Sequence, residues 1–184
     1  MNVSVTKVSE RSSSSCSRIR NELVKTLAPL KNKLYRYALH IVRDVAVAED
    51  VVQEVYIKVW KNASTLSTIE NQEAWCMKVT RNLSLDKLRR KKHHTDALED
   101  HYDLADDRIT PDQQLESNDT LGLIKRAIAQ LPDTQRQVIH LREIEGYSYK
   151  EIAEITEFSV DKVKVNLHRA RLALREKLES IYVS

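Results

Sequence analysis

Residues 131–178 read LPDTQRQVIHLREIEGYSYKEIAEITEFSVDKVKVNLHRARLALREKL, and this stretch decides the fold. Its apolar residues recur every three or four positions, which predicts amphipathic helices. Ser148 stands three residues before Glu151, the pattern of a capping box, so we expect a short helix over residues 149–156. Ser159 is placed to cap a longer, basic helix. A short helix, a tight turn and a longer basic helix form a helix-turn-helix.

The module that carries this motif begins near Asp119. Its first helix is predicted to end near Leu131, and Pro132 suits the first position of the next helix. Gly146 is expected to end that second helix as a C-cap does. The turn falls at residues 157–158, and the final helix extends to about residue 178. Close packing of the helix-turn-helix is expected from Ile152, Ala153, Val163 and Leu167.

The N-terminal half shows the same helical periodicity. A first apolar pattern begins near Ile19 and is expected to break at Pro29, where a new helix starts. Further helices are predicted over residues 47–61 and 72–90, with a polar loop at residues 62–71 between them. Apolar residues on the inner side of the two helices are Val51, Val52, Val55, Val59, Trp60, Trp75, Val79, Leu83 and Leu88.

The composition agrees with an all-helical protein. Among 184 residues there are 2 glycines and 3 prolines, too few for the turns of a β-sandwich, a barrel or a Gly-rich nucleotide fold. Residues 1–18 are Ser-rich and lack an apolar signal core, so we predict a disordered tail. The cysteines match no C-x-x-C pattern, and a cytoplasmic location is expected.

Charge is distributed unevenly along the chain. Residues 78–92 hold seven basic residues and one acidic residue, and residues 161–177 hold six and two. Between them, residues 95–120 hold nine acidic residues and one basic residue. Two basic segments separated by an acidic one indicate two nucleic-acid contacts on separate modules.

Three segments in this order resemble the bacterial RNA polymerase sigma factors of the extracytoplasmic-function (ECF) type. They are residues 34–60 (LYRYALHIVRDVAVAEDVVQEVYIKVW), residues 75–90 (WCMKVTRNLSLDKLRR) and residues 131–178. The resemblance implies a subunit that binds core RNA polymerase through its largest and second-largest subunits, directs it to promoter DNA and helps open the −10 region. It also implies an anti-sigma factor as regulator.

On this resemblance the fold is all-α, with two small helical domains joined by a flexible acidic linker. After the tail, residues 19–92 form the domain that binds polymerase and the −10 element. Residues 93–118 are the linker, and residues 119–184 form the helix-turn-helix domain that binds the −35 element. The linker is either a solvated spacer or a segment that threads the basic nucleic-acid channels of the polymerase.

The resemblance places polymerase binding on Asp50, Gln53 and Glu54. Their spacing puts them on one face of the second predicted helix. A compact polar patch of this kind gives orientation and specificity to a protein contact. From spacing alone, an ordinary solvated face is the alternative.

For the −10 element the resemblance selects the third predicted helix and the loop before it. The candidates are Asn71, as the weaker one for base capture, and Arg81, Asn82, Asp86, Arg89 and Arg90. Arginine binds phosphates, and asparagine makes paired contacts with a base edge. A solvated basic helix end is the alternative. Tyr56, Trp60 and Trp75 have the chemistry to stack on melted bases, but both tryptophans are predicted to be core residues.

For the −35 element the candidates lie on the final helix. Phosphate contacts are expected from Lys162 and Arg171, and base contacts from Lys164, Val165, His168 and Arg169. The family pattern has glycine where Glu157 stands, and it also differs at residues 161–162 and 165–166. Promoter specificity therefore does not transfer, and we state as a hypothesis that an additional partner targets this chain to DNA.

Two other classes of function fit the sequence less well. A stand-alone helix-turn-helix regulator would need neither the patch around Gln53 nor a second basic helix. An enzyme acting on nucleic acid would need a catalytic constellation, and none of the expected motifs is present. His93, His94, His101 and Cys76 do not have the spacing of a zinc site, so we expect no metal or cofactor.

Overall fold

The computed structural model describes residues 28–66, 68–96 and 120–182, and these residues form helices and no strand. The chain makes two compact units, Met1–Arg90 and Lys91–Ser184. The predicted all-helical fold class is confirmed. The predicted tail, the helical pattern before residue 28 and residues 97–118 of the predicted linker lie outside the described residues.

The first unit begins with a 3₁₀ turn over Ala28–Leu30, where the break at Pro29 was predicted. It continues with helices α1 (Lys31–Val42), α2 (Val45–Lys61), α3 (Ala63–Leu66) and α4 (Gln72–Asp96). Helix α2 starts two residues earlier than predicted. The reason is Asp44, whose Oδ1 atom accepts a hydrogen bond from the Val47 N–H at 3.1 Å and so caps the helix.

Helices α1 and α2 pack against each other around buried Leu34, Tyr37, Val51 and Val55. The prediction that Trp60 belongs to this core is wrong, because 55% of its surface is exposed. The inner side of α2 is set by its valines, and the next residue after Val59 points about 100° away from it. Trp60 therefore faces outward.

Two predictions about the region after α2 are also corrected. The polar segment 62–71 is not a loop throughout, because Ala63 and Leu66 are buried one turn apart on the short helix α3. Helix α4 continues to Asp96 instead of ending near Arg90. No glycine or proline occurs between Pro29 and Pro111, so no helix-breaking residue stops α4 at residue 90.

The buried face of α4 differs from the predicted one. Trp75 and Val79 are only half-buried, and Leu88 is exposed. Four small side chains, those of Ala74, Cys76, Thr80 and Ser84, take interior positions instead, together with Met77 and Leu83. Of the apolar residues predicted for this face, only Leu83 is buried, because the helix is rotated toward its smaller side chains.

The second unit contains α5 (Thr120–Ala129), α6 (Asp133–Ile139), a π-helical turn (His140–Ile144), α7 (Tyr149–Thr156) and α8 (Val160–Tyr182). Pro132 is the N-cap of α6 and not its first helical residue. Gly146 follows the π-helical turn with φ +81°, the left-handed conformation expected of it. Helix α8 packs against α5, α6 and α7, and runs beyond the predicted end.

The helix-turn-helix is confirmed with its predicted caps. Ser148 Oγ accepts from the Glu151 N–H at 3.3 Å, and the Glu151 carboxylate accepts from the Ser148 N–H at 2.8 Å. Ser159 Oγ accepts from the Lys162 N–H at 3.2 Å and caps α8. In the turn, Glu157 has φ 59° and ψ 28°, a left-handed backbone on a residue that carries a Cβ.

The packing between α7 and α8 follows the prediction at Ile152, Val163 and Leu167, which are all buried. Ala153 was predicted to be buried but is only half-buried. Ile155 takes that interior position instead. This difference is a helical phase shift, because residues 152 and 155 lie one turn apart on the same face.

Candidate nucleic-acid and protein interfaces

The predicted polar patch of α2 lies on one side of the helix. Asp50 and Gln53 are exposed, and Glu54 is half-buried. Glu54 Oε1 lies 2.7 Å from the Nζ atom of Lys87 on α4. The patch therefore consists of two solvent-facing polar side chains and a carboxylate that is already paired within the unit.

The same side of α2 continues as an apolar surface that the sequence analysis missed. Ile57 and Trp60 are 52% and 55% exposed, and they lie one and two turns beyond Gln53. Large exposed apolar side chains beside polar ones are typical of protein-binding surfaces. The spacing of the buried valines along α2 is the sequence pattern that predicts this surface, because it leaves Ile57 and Trp60 outside the buried face of the helix.

The candidates on α4 fall into two groups. Arg81 and Asn82 are half-buried, and Arg81 Nη1 donates to Asn82 Oδ1 at 3.3 Å. One turn and more beyond them, Asp86, Arg89 and Arg90 are exposed. Asp86 Oδ1 lies 3.6 Å from Arg89 Nη1, a weak exposed ion pair. The exposed end of the helix is thus the more accessible cationic surface.

Arg81 has a structural neighbour in the core. The phenol of Tyr37 is fully buried, and burial raises its pKa above the ordinary value while the positive charge of Arg81 opposes that rise. The charge of Arg81 therefore acts on the buried Tyr37 as well as on the surface of this unit.

Asn71 has a local structural role that bears on its candidacy for base capture. Its Oδ1 atom accepts a hydrogen bond from the Ala74 N–H at 2.9 Å, so Asn71 caps α4. The other candidates for stacking differ in exposure: Trp60 is exposed, whereas Trp75 and Tyr56 are half-buried. Burial raises the pKa of Tyr56, and the neighbouring Cys76 adds to the rise.

The outward face of α8 carries most of the candidates for the second DNA contact. Lys162, Lys164, Val165, His168, Arg169 and Arg171 are all exposed. The opposite face is buried through Val163, Leu167 and Ala170. An exposed helix face held by a packed helix-turn-helix has the geometry that enters a major groove.

Several cations of α8 already have partners within the unit. Lys162 Nζ lies 3.9 Å from the centre of the Phe158 ring, and Lys164 Nζ lies 3.5 Å from Asp161 Oδ1. His168 and Arg169 have no side-chain partner within the residues that the structure describes. Internal pairing reduces the positive charge that this helix offers to phosphates.

Arg171 has the strongest internal pairing among these cations. Its Nη2 atom lies 2.6 Å from Glu143 Oε1 on the π-helical turn, and this hydrogen bond raises the pKa of the guanidinium. Tyr149 also contributes to the raised pKa of Arg171, and Arg142 lies 5.1 Å from the centre of the Tyr149 ring. Glu143 and Tyr149 were not singled out from the sequence, because only the fold brings them to Arg171.

Two further features of the second unit come from the structure alone. His140 Nε2 lies 3.4 Å from Glu145 Oε1, and both side chains are buried. An open groove of about 610 Å³ has an apolar floor of Ile139, Leu174 and Leu178 between ion-paired side chains. Neither feature has a periodic or motif signal in the sequence.

No helix among the described residues combines the length and the apolar character needed to cross a membrane. In the same part of the chain, no three metal-binding side chains come together.

Comparison with known proteins relates both units to one family. Residues 27–94 match the family model of Sigma-70 region 2, and residues 121–174 match that of Sigma-70 region 4. The chain is 30% identical over 160 residues to the ECF RNA polymerase sigma factor SigW of Bacillus subtilis, covering 82% of this chain and 86% of SigW. It is 34% identical over 152 residues to SigL of Mycobacterium tuberculosis, covering 82% and 85%.

Solved structures show the same fold. The sigma factor RpoE of Bartonella quintana, in complex with the anti-sigma factor NepR, matches with a TM-score of 0.67 and 25% identity over 86% of this chain and 97% of RpoE. CnrH, in complex with the cytosolic domain of CnrY, matches with a TM-score of 0.63 at 20% identity, over 90% of this chain and 95% of CnrH.

Proposed function

The chain belongs to the ECF family of RNA polymerase sigma factors, and from that membership we propose that it binds core RNA polymerase, directs it to promoters and helps open the −10 region. The observation that carries the proposal is the presence of two different candidate surfaces in two separate units. One is the polar and apolar face of α2, and the other is the outward face of α8. A stand-alone regulator would need only the second.

We assign polymerase binding to the face of α2 that carries Asp50, Gln53 and Glu54. Ile57 and Trp60 extend this surface, because they are exposed on the same side of the helix. Polar side chains fix the orientation of a contact, while a large aromatic side chain supplies most of its affinity. Trp60 is thus a candidate anchor, and the polar patch beside it supplies specificity.

We assign the −10 contact to α4, within the proposed domain of residues 19–92. The exposed arginines Arg89 and Arg90 would hold the DNA backbone, since arginine binds phosphate through charge-assisted hydrogen bonds. Arg81, Asn82 and Asp86 complete the proposed surface. Asn71 is a weaker candidate, because its side-chain oxygen already caps the helix.

We assign the −35 contact to α8 in the proposed domain of residues 119–184. His168 and Arg169 are its exposed side chains without internal partners in the described part of the chain. Lys162, Lys164 and Arg171 join them if DNA phosphates replace their present partners. The number of internally paired cations supports the hypothesis that a further partner assists DNA targeting.

The sigma factor family is not a family of catalytic enzymes, and we infer that the polymerase supplies the chemistry of transcription. Since RpoE was solved in complex with the anti-sigma factor NepR, we also propose an anti-sigma factor as regulator. The proposed site of action is the cytoplasm, where the polymerase works.

Run-off transcription with bacterial core polymerase and a library of promoter fragments tests the proposal. The matched control is the double variant Asp50→Ala/Gln53→Ala, which alters exposed side chains only. Initiation from a subset of fragments, lost in the control, is the expected result. Co-migration with core polymerase on a sizing column separates failure to bind from failure to initiate.

Absence of any core binding would contradict the sigma factor function and favour the stand-alone regulator. Core binding without initiation would contradict promoter recognition by the chain alone and support the need for a targeting partner. Each result therefore points to a different role of the two units.

A further inference from the structure

The outward face of α8 has an apolar centre. At about 100° per residue, Val165 points about 170° away from the mean direction of the buried Val163, Leu167 and Ala170. Its side chain is 47% exposed. A single exposed valine is common on protein surfaces, but this one lies at the middle of the face that we assign to DNA, where its chemistry bears on base recognition.

Three polar side chains just before and next to Val165 are already engaged within the unit. Asn166 Nδ2 donates to the Lys162 carbonyl oxygen at 2.8 Å, which takes this amide away from a base edge. Lys164 is paired with Asp161, and Lys162 lies over Phe158. Among residues 160–166 of α8, the side chain best placed to meet a base edge is therefore apolar, and His168 and Arg169 flank it one turn further along.

In the major groove, an apolar side chain can distinguish thymine from the other bases. Thymine presents a C5-methyl group there, whereas the other edges present hydrogen-bond donors and acceptors. A valine packed on a polar edge removes water from it without replacing the hydrogen bond, which is unfavourable. A valine packed on the thymine methyl buries apolar surface on both sides.

We propose that Val165 recognises a thymine through its C5-methyl group in the duplex element that α8 binds. The inference rests on the proposed function and adds the identity of one base. Arg169, one turn further along α8 and exposed, is placed to hold the adjacent backbone. The methyl contact contributes specificity, and the cations contribute most of the affinity.

Leu172 provides a matched control. It is 50% exposed and points in nearly the same direction as Val165. It lies about 10 Å further along the helix, beyond the N-terminal half that enters the groove. Both residues are exposed positions in one helix, and alanine favours helices, so Val165→Ala and Leu172→Ala retain the fold.

The test uses the full chain with core polymerase on synthetic promoters selected by run-off transcription. Each thymine of the upstream element is replaced singly by deoxyuridine, which keeps the base pair and removes only the methyl group. In these templates thymine is the only base that carries a C5-methyl group. Initiation and duplex binding are measured for the wild-type chain and the two variants.

We expect one thymine at which deoxyuridine weakens binding about fourfold, the value for one buried methyl group. Val165→Ala should bind both templates equally, and Leu172→Ala should retain the fourfold difference. Two results overturn this inference alone. One is promoter-specific initiation in which no deoxyuridine substitution changes binding. The other is a difference between thymine and deoxyuridine templates that persists in Val165→Ala. Absence of core binding overturns the proposed function, and core binding without initiation at any promoter overturns promoter recognition by the chain alone; either result overturns the inference as well.

Discussion

Lys87 on α4 reaches across to α2, where its Nζ atom lies 2.7 Å from Oε1 of Glu54. The pair joins the helix proposed to bind polymerase to the helix proposed to bind the −10 element. The two side chains are 28% and 41% exposed, so solvent weakens the pair but does not fully screen it. Glu54 thus has a structural partner, whereas Asp50 and Gln53 face solvent.

Because Glu54 has an ion-pair partner whereas Asp50 and Gln53 face solvent, substitutions in the three patch residues should differ in their effect on stability. Asp50→Ala and Gln53→Ala should leave the free energy of unfolding within about 0.5 kcal/mol of the wild type, because both side chains are exposed. Each should lower core affinity about tenfold if the side chain lies in the interface. Glu54→Ala should lower affinity and also cost up to about 1 kcal/mol of stability.

Urea unfolding and binding titrations with core polymerase measure the two effects independently. Lys87→Met is the control, because it breaks the ion pair without altering the patch. If Asp50→Ala destabilised the chain as much as Glu54→Ala, the assignment of Asp50 to an exposed interface would be wrong.

The sequence predicted what depends on local chemistry. The capping box at Ser148 and the cap at Ser159 involve residues three positions apart, and both formed as predicted. The exposure of Trp60 could not be predicted in the same way, because it depends on which stripe of α2 packs against α1. The pairing of Arg171 with Glu143 spans 28 residues and exists only after α8 has packed on the preceding helices.

Glu157 predicts a gain in stability from glycine. Its φ of 59° places a residue with a Cβ in the left-handed region. Glu157→Gly should relieve that cost and raise the free energy of unfolding by about 0.5–1 kcal/mol, after the greater entropy of glycine in the unfolded chain is counted. Glu157→Ala separates the two effects, because it removes the carboxylate but keeps a Cβ in the left-handed region. Both variants should bind DNA more tightly, but only Glu157→Gly should raise the free energy of unfolding. Equal urea midpoints for the two variants would contradict the strain.

Ser84 predicts a stabilising removal of a polar group. Its side chain is buried, and within the described residues its Oγ atom has no hydrogen-bond partner. Ser84→Ala should raise the free energy of unfolding by about 1 kcal/mol, because the desolvated hydroxyl is deleted. Thr80 is the matched control, since its hydroxyl donates to the Cys76 carbonyl at 2.9 Å. Thr80→Val should therefore not stabilise, and a destabilised Ser84→Ala would show that the hydroxyl has a partner.

Cys76 predicts a loss of stability in alkali. Burial raises the pKa of its thiol from 9.0 to about 12, and Glu73 adds to the rise. The folded unit keeps the thiol proton at pH values where the unfolded chain releases it. The contribution of the protonated thiol to the free energy of unfolding is therefore complete below about pH 9 and is lost as the pH rises toward 12.

The free energy of unfolding should therefore fall above pH 9 by up to about 1.4 kcal/mol per pH unit. Tryptophan fluorescence during urea unfolding measures it in the first unit, since Trp60 and Trp75 are the 2 tryptophans of the chain. The buried Tyr37, whose pKa is also raised, adds to the fall at higher pH. Cys76→Ala should flatten the profile between pH 9 and 10, and an unchanged slope in this variant would contradict the role of the thiol.

The pairing of Arg171 with Glu143 predicts how the salt dependence of DNA binding can be changed. Because the guanidinium lies 2.6 Å from the carboxylate, DNA phosphate must compete with Glu143 for it. Glu143→Gln should release Arg171 to the phosphates, tighten binding at low salt and steepen the slope of log affinity against log salt by about one unit.

Glu179→Gln is the matched control, because it releases Arg175 near the far end of α8 from a similar 2.7 Å pair. It should leave the slope unchanged, since that end of the helix lies beyond the groove. Filter binding of the upstream duplex to the full chain with core polymerase, over a range of salt concentrations, measures both slopes. If the two variants shift the slope equally, Arg171 is a positioning residue for α8 and does not contact phosphate.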